Sequence, residues 1–189
     1  MNFCIVDIET PLGNSSENFI MLARVKALGK KPAKLFTLKD GLGGDYGGDL
    51  WVVSKLREEM NLYDGWITWN GLQFDLPYID DRLIINGVPR LKRGFARGLD
   101  TMWHAKQFKS MFQGASLEHV SIGLRYPGRV REPLNESIFV RAKQECLDKF
   151  KNGSEHFDRI ERHNAGCIRL TEFCYEVLKP RIQNISRWG

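Results

Sequence analysis

Apolar positions change their spacing from one stretch of the chain to the next, and these changes lay out the elements. Phe3 to Ile8 is a short run rich in branched residues and broken by one acid, the pattern of a mostly buried strand with Asp7 and Glu9 at its C-terminal end. Pro11, Gly13, Asn14 and Ser15 supply turn chemistry after it. Two more strands are predicted near Phe19 to Leu28 and Ala33 to Leu38, joined by the basic turn Gly29-Lys30-Lys31-Pro32. The glycine-rich stretch from Gly41 to Asp49 lacks a GxxxxGK[ST] phosphate cradle and reads as a surface loop.

Helical spacing then takes over. Val52, Val53, Leu56, Met60 and Leu62 give Leu50 to Leu62 one apolar face, with Glu58 and Glu59 outside it. Gly65 to Asn70 is a strand running into a turn, and Phe74 to Asn86 is a helix stopped by Gly87. Leu99 to Phe108 holds a short strand and then helix, and Ser116 caps a helix over Leu117 to Gly123. A loop rich in proline, glycine and arginine runs from Arg125 to Asn135. Two helices follow, from Glu136 to Lys151 and from His156 to Val177 or beyond, with Pro180 ending or bending the last. Strands first and a helix-rich second half predict one α/β domain over residues 1–189, a mixed sheet flanked by helices.

Composition narrows the class of protein. With 42% hydrophobic and 27% charged residues the chain is globular, and no apolar run approaches the roughly 18–20 residues that cross a bilayer. The start lacks a secretory layout, so a cytoplasmic location without membrane attachment is expected. Cys4, Cys146, Cys167 and Cys174 form no CxxC pair; Cys167 and Cys174 suit one helix face and buried thiols. A net charge of +5 suits a polyanionic partner and equally an ordinary solubilising surface.

The candidate chemistry lies in three places. Asp7 and Glu9 alternate onto one face of their strand, close enough to share a cation; alone, the pair reads more readily as two solvated acids beyond the end of the strand. Asn70-Gly71-Leu72-Gln73-Phe74-Asp75 joins a strand to a helix and sets Asp75 in the first helical turn, where the dipole favours a carboxylate. Phe74 in this reading anchors the helix in the core, and Trp69 is the better base-stacking residue. His163 and Cys167 lie four apart on the last helix, and so on one face.

These segments resemble a known family. Phe3-Cys4-Ile5-Val6-Asp7-Ile8-Glu9-Thr10 looks like the first motif of the DEDD, or DnaQ-like, superfamily of 3′→5′ exonucleases, which has an RNase H-like fold. Asn70 to Asp75 resembles the second motif in the form shared with proofreading domains of family B polymerases; Leu99-Asp100-Thr101 and Ser116 to Val120 are similar to its connecting segments. His163 to Thr171 is similar to the third, with His163 at the position of the base and Cys167 where the family has aspartate.

The resemblance implies a five-stranded-type mixed sheet and two Mg²⁺ or Mn²⁺ ions held by Asp7, Glu9 and Asp75. It implies His163 as proton acceptor and hydrolysis at a single-stranded 3′ end, of DNA rather than RNA, releasing nucleoside 5′-monophosphates. Thr10, Trp69, Asn70 and Phe74 would contact the strand, and Trp103 would pack or stack beside it. Arg90, Lys92, Arg93, Arg97, Arg125, Arg129 and Arg131 would supply charge. A separate polymerase or repair protein is the implied partner. Since a thiol is a poor Mg²⁺ ligand, Cys167 implies weakened metal binding, a rearranged ligand set using Glu172 or Asp158, or a nucleic-acid-binding module that has lost catalysis.

Overall fold

The computed structural model describes residues 1–30, 32–41, 48–92, 98–106 and 116–185. Its strands are β1 (Phe3–Glu9), β2 (Leu22–Ala27), β3 (Lys34–Thr37), β4 (Gly65–Thr68) and β5 (Gly98–Asp100). They form a five-stranded mixed sheet in the order β3-β2-β1-β4-β5. β1 pairs antiparallel with β2 and parallel with β4, and β4 pairs parallel with β5. The helices are α1 (Leu38–Gly41), α2 (Leu50–Met60), α3 (Asp75–Ile85), α4 (Thr101–Lys106), α5 (Leu117–Gly123), α6 (Glu136–Leu147) and α7 (Glu155–Ile185). This is the α/β, RNase H-like arrangement expected from the sequence.

Alternation along β1 decides what each face meets. Cys4, Val6 and Ile8 point into a cluster with Val52, Val53 and Leu56 of α2 and Leu76, Ile79 and Leu83 of α3. Ile5 points the other way, into a cluster with Cys167, Ile168, Cys174 and Leu178 of α7. Asp7 and Glu9 share the parity of Ile5 and therefore face α7. Below β2, Met21 and Leu22 join Ile138 and Ala142 of α6 and Phe157 and Ile160 of α7. Burial on both faces explains why β1 is a nearly continuous apolar run.

Several boundaries and partners differ from expectation. α7 continues to Ile185 through Pro180: that residue and Glu176, whose carbonyl loses its helical partner, are exposed, so water can satisfy the orphan, while Leu178 and Ile182 stay packed in the core. Glu59 is buried, because Lys34 (2.5 Å) and Tyr63 (3.0 Å) pair with it. Asp49, at the end of the glycine-rich loop, is fully buried against Arg82, Asn86 and the amide of Ile20; residues 42–47 lie outside the described residues. All four cysteines are free and buried, and Cys167 and Cys174 share one cluster.

Candidate functional site

β1 reaches further than its neighbour. Its parallel pairing with β4 covers Phe3 to Ile5 only, so the β4 side of its last residues lacks a strand. Asp75 fills this gap: its Oδ1 accepts the amide of Ile8 at 3.1 Å. A side chain from the first turn of α3 thus completes the ladder and is carried to the end of β1 beside Asp7 and Glu9.

The turn that delivers Asp75 is tightly specified. Asn70 adopts φ 64, a left-handed conformation that asparagine tolerates. A Cβ on Gly71 would come within 2.3 Å of Thr68, so no larger residue fits there. Asp100, at the end of β5, accepts the amides of Asn70 (3.0 Å), Leu72 (3.4 Å), Met102 (3.0 Å) and Trp103 (3.2 Å). One buried carboxylate therefore pins the turn and starts α4.

Burial and mutual repulsion dominate the electrostatics. Burial, then the charge of Glu9, raises Asp7 well above the usual carboxylate range. Burial raises Glu9 to about 8, with Asp75 adding to the rise and Arg131 opposing it. Asp75 is likewise raised, by burial and then by Asp7. Two buried acids and the part-buried Asp7, repelling one another, suit a hard divalent cation with oxygen ligands. Among the described residues, however, the ligand atoms that converge within 4.8 Å belong to Glu9, His163 and Cys167, a buried group that could hold a metal ion. The thiol end of that group does not suit Mg²⁺.

α7 supplies the other wall. Nδ1 of His163 meets the carbonyl of Glu132, so this nitrogen carries the proton and Nε2 keeps its lone pair. Burial lowers the histidine's pKa, which favours the neutral ring. Asn164 is fully buried, donates to Asp7 Oδ2 at 2.6 Å and accepts from Arg24 Nε at 3.0 Å. Arg131 donates to Cys167 Sγ at 2.8 Å through Nη1 and to Glu118 through Nε.

Neither Glu172 nor Asp158, the acids expected as possible alternative ligands, reaches Asp7 and Glu9. Glu172 pairs with Lys26 and the amide of Gly29, toward the opposite end of β1, because five residues of helix advance it past the site. Asp158 pairs with Lys39 and Ser154.

A groove of about 220 Å³ beside the acids is lined by Ile8, Glu9, Thr10, Pro11, Leu12, Gly13, Phe74 and Phe139. Phe74 is not a core residue: it precedes α3, is 42% exposed and lies against Tyr78. Trp69 is instead half-buried against the α7 cluster, which makes it the packing residue of the two. Thr10 is buried in the groove wall. Trp103 is half exposed, on α4 just beyond β5.

The basic residues divide. Arg90 pairs with Asp80, and the amide of Lys92 bonds Asn61 near the start of β1, so neither borders the acids. Arg125 and Arg129 are exposed on the loop before α6, whereas Arg131 enters the site; Arg93 and Arg97 lie outside the described residues. As site residues, Arg24 and Phe139 were missed from sequence, while Asp100 and Asn164 were noted only within motif segments, without a role. For Asn164 a signal existed, since Asn164 and Gly166 are poor helix formers in the middle of a long helix.

Among the described residues no helix is long and apolar enough to cross a membrane. No protein-family model and no curated protein matches the chain. Among solved structures it is similar to the family B DNA polymerase from the hyperthermophilic archaeon Pyrobaculum calidifontis, at 18% identity and a TM-score of 0.71. The match covers 95% of this chain and 25% of the polymerase, so the chain has the fold of one part of that enzyme.

Proposed function

We propose that the chain is a metal-dependent 3′→5′ exonuclease of the DEDD type, acting on single-stranded 3′ ends, of DNA in preference to RNA. The observation that carries this reading is the gathering of Asp7, Glu9 and Asp75 about the end of β1, with a ring nitrogen of His163 on the facing helix within 4.8 Å of a Glu9 carboxylate oxygen. The similarity in fold to part of a DNA polymerase supports it. Asp7, Glu9 and Asp75 would hold Mg²⁺ or Mn²⁺, two ions in the form the resemblance implies, supplying Lewis acidity to the phosphate and a more acidic water.

The chain's own residues do the rest. Asn164 holds Asp7 in one rotamer and leaves its second oxygen for a ligand. His163, neutral and with Nε2 bare, accepts the proton of the attacking water. Phe74 offers an exposed ring for the terminal base at the groove's edge, and Thr10 and Asn70 line the path beside it. The product is a nucleoside 5′-monophosphate. A separate polymerase or repair protein would supply the biological setting.

A single-stranded DNA labelled at its 5′ end tests the reading. Incubation with Mn²⁺ should give a ladder shortened from the 3′ end, absent with Asp7→Ala; no ladder from the wild type under any divalent ion rejects it. One observation favours a second reading, a binding module weak in catalysis: Cys167 is hydrogen-bonded to Arg131 rather than open to an ion. Tight binding without a ladder, and a ladder gained with Cys167→Asp, would support that alternative.

A further inference from the structure

We propose that Arg131 is the resident cation of the acidic site, standing in for one of the two divalent ions and meeting the nucleic-acid phosphate in its place. This rests on the reading of the pocket as a phosphodiester site and names how its charge is balanced. The guanidinium is tethered at two points, by Glu118 on α5 and by Cys167 on α7. Cys167 Sγ, 2.8 Å from Nη1, lies within 4.8 Å of ligand atoms of Glu9 and His163, which sets the guanidinium beside the acids. Among the described residues Nη2 makes no hydrogen bond, and the side chain is 21% exposed, so a phosphate can reach it.

The approach of Arg131 is built into α7. A Cβ on Gly166 would lie 2.4 Å from Cβ and 2.8 Å from Cα of Arg131, so the loop crosses the helix where the helix has no side chain. Glycine inside a helix is destabilising relative to alanine, a cost this crossing requires. Cys167 completes the arrangement. Its buried, uncharged thiol takes one N–H of the guanidinium and adds no anion beyond Glu118, with which the guanidinium is ion-paired through Nε. A carboxylate at the same position would give the arginine a second anionic partner in competition with the acids.

Counting bound Mn²⁺ by electron paramagnetic resonance on the full chain tests this. The wild type should hold no more than one ion, and Arg131→Met should hold one more than the wild type. The variant should also melt at a lower temperature in EDTA and recover most of that loss in Mn²⁺, because an ion then replaces the lost charge. Two tightly held ions in the wild type overturn the proposal, as does a variant that gains no ion or whose loss Mn²⁺ leaves unchanged. Should Arg131→Met not fold, Arg131→Lys, which keeps the charge, should hold the wild-type count, and an ion gained there overturns the proposal. The exonuclease reading fails separately, through the absence of a ladder, whatever the ion count.

Discussion

Glu9 couples the protonation of the site to the stability of the protein. Its pKa is raised from 4.5 to about 8, chiefly by burial. The folded state therefore holds a proton that the unfolded state releases, and stability falls as pH rises between those two values. Above about 8 both states are ionised and the loss is complete. Melting temperature in EDTA should accordingly decrease from pH 5 to pH 8, and Mn²⁺ should flatten the decline by favouring the ionised form. A melting temperature that rises over this interval would contradict the burial of Glu9. Asn164 is the second residue whose role is local: it orients Asp7 through one hydrogen bond and is itself held by Arg24. Asn164→Ala should weaken Mn²⁺ binding by about 10- to 100-fold, the usual effect of losing a partner behind a metal ligand, as read by titration against folded protein.

At the scale of elements, the site exists because strands differ in length. β4 stops while β1 continues, and the turn between β4 and α3 brings Asp75 to the amide that β4 leaves unpaired. Gly71 makes this geometry possible by passing close to Thr68. Gly71→Ala should therefore cost about 1–3 kcal/mol, as overpacking of a tight contact does. It should also reduce activity more than this destabilisation explains, since Asp75 moves with the turn. Denaturant unfolding and cleavage assays on the same sample check both. Asp100 gives the turn its second anchor, and its four amide contacts tie β4, β5 and α4 into one unit.

Over the whole molecule, charge and apolar surface are distributed unevenly about the sheet. The acids, the groove with Phe74 and Phe139, and Arg131 lie at the C-terminal end of β1. Arg90 and Lys92 lie toward the other end. A strand bound in the groove should thus lean on Phe74 and not on Arg90. Phe74→Ala should weaken binding of single-stranded DNA by about 1–3 kcal/mol, the range for losing one stacked base, whereas Arg90→Ala should leave it unchanged. Fluorescence anisotropy at fixed salt measures both. Equal losses in the two variants would put the strand elsewhere.

Local pattern by itself determined the elements and the face on which Asp7 and Glu9 stand, because side-chain alternation and helical period depend only on neighbours in the chain. The resemblance of two motifs singled out Asp75 and His163. Tertiary structure alone decided what those residues meet. Phe74 and Trp69 exchanged the roles expected of them because the break before α3 turns Phe74 outward, while the end of β4 holds Trp69 against α7. Glu172 and Asp158 were engaged elsewhere by lysines far away in sequence. Asn164 came to Asp7 from 157 residues away and Arg131 to Cys167 from 36, by helix packing and a loop crossing that no periodicity records.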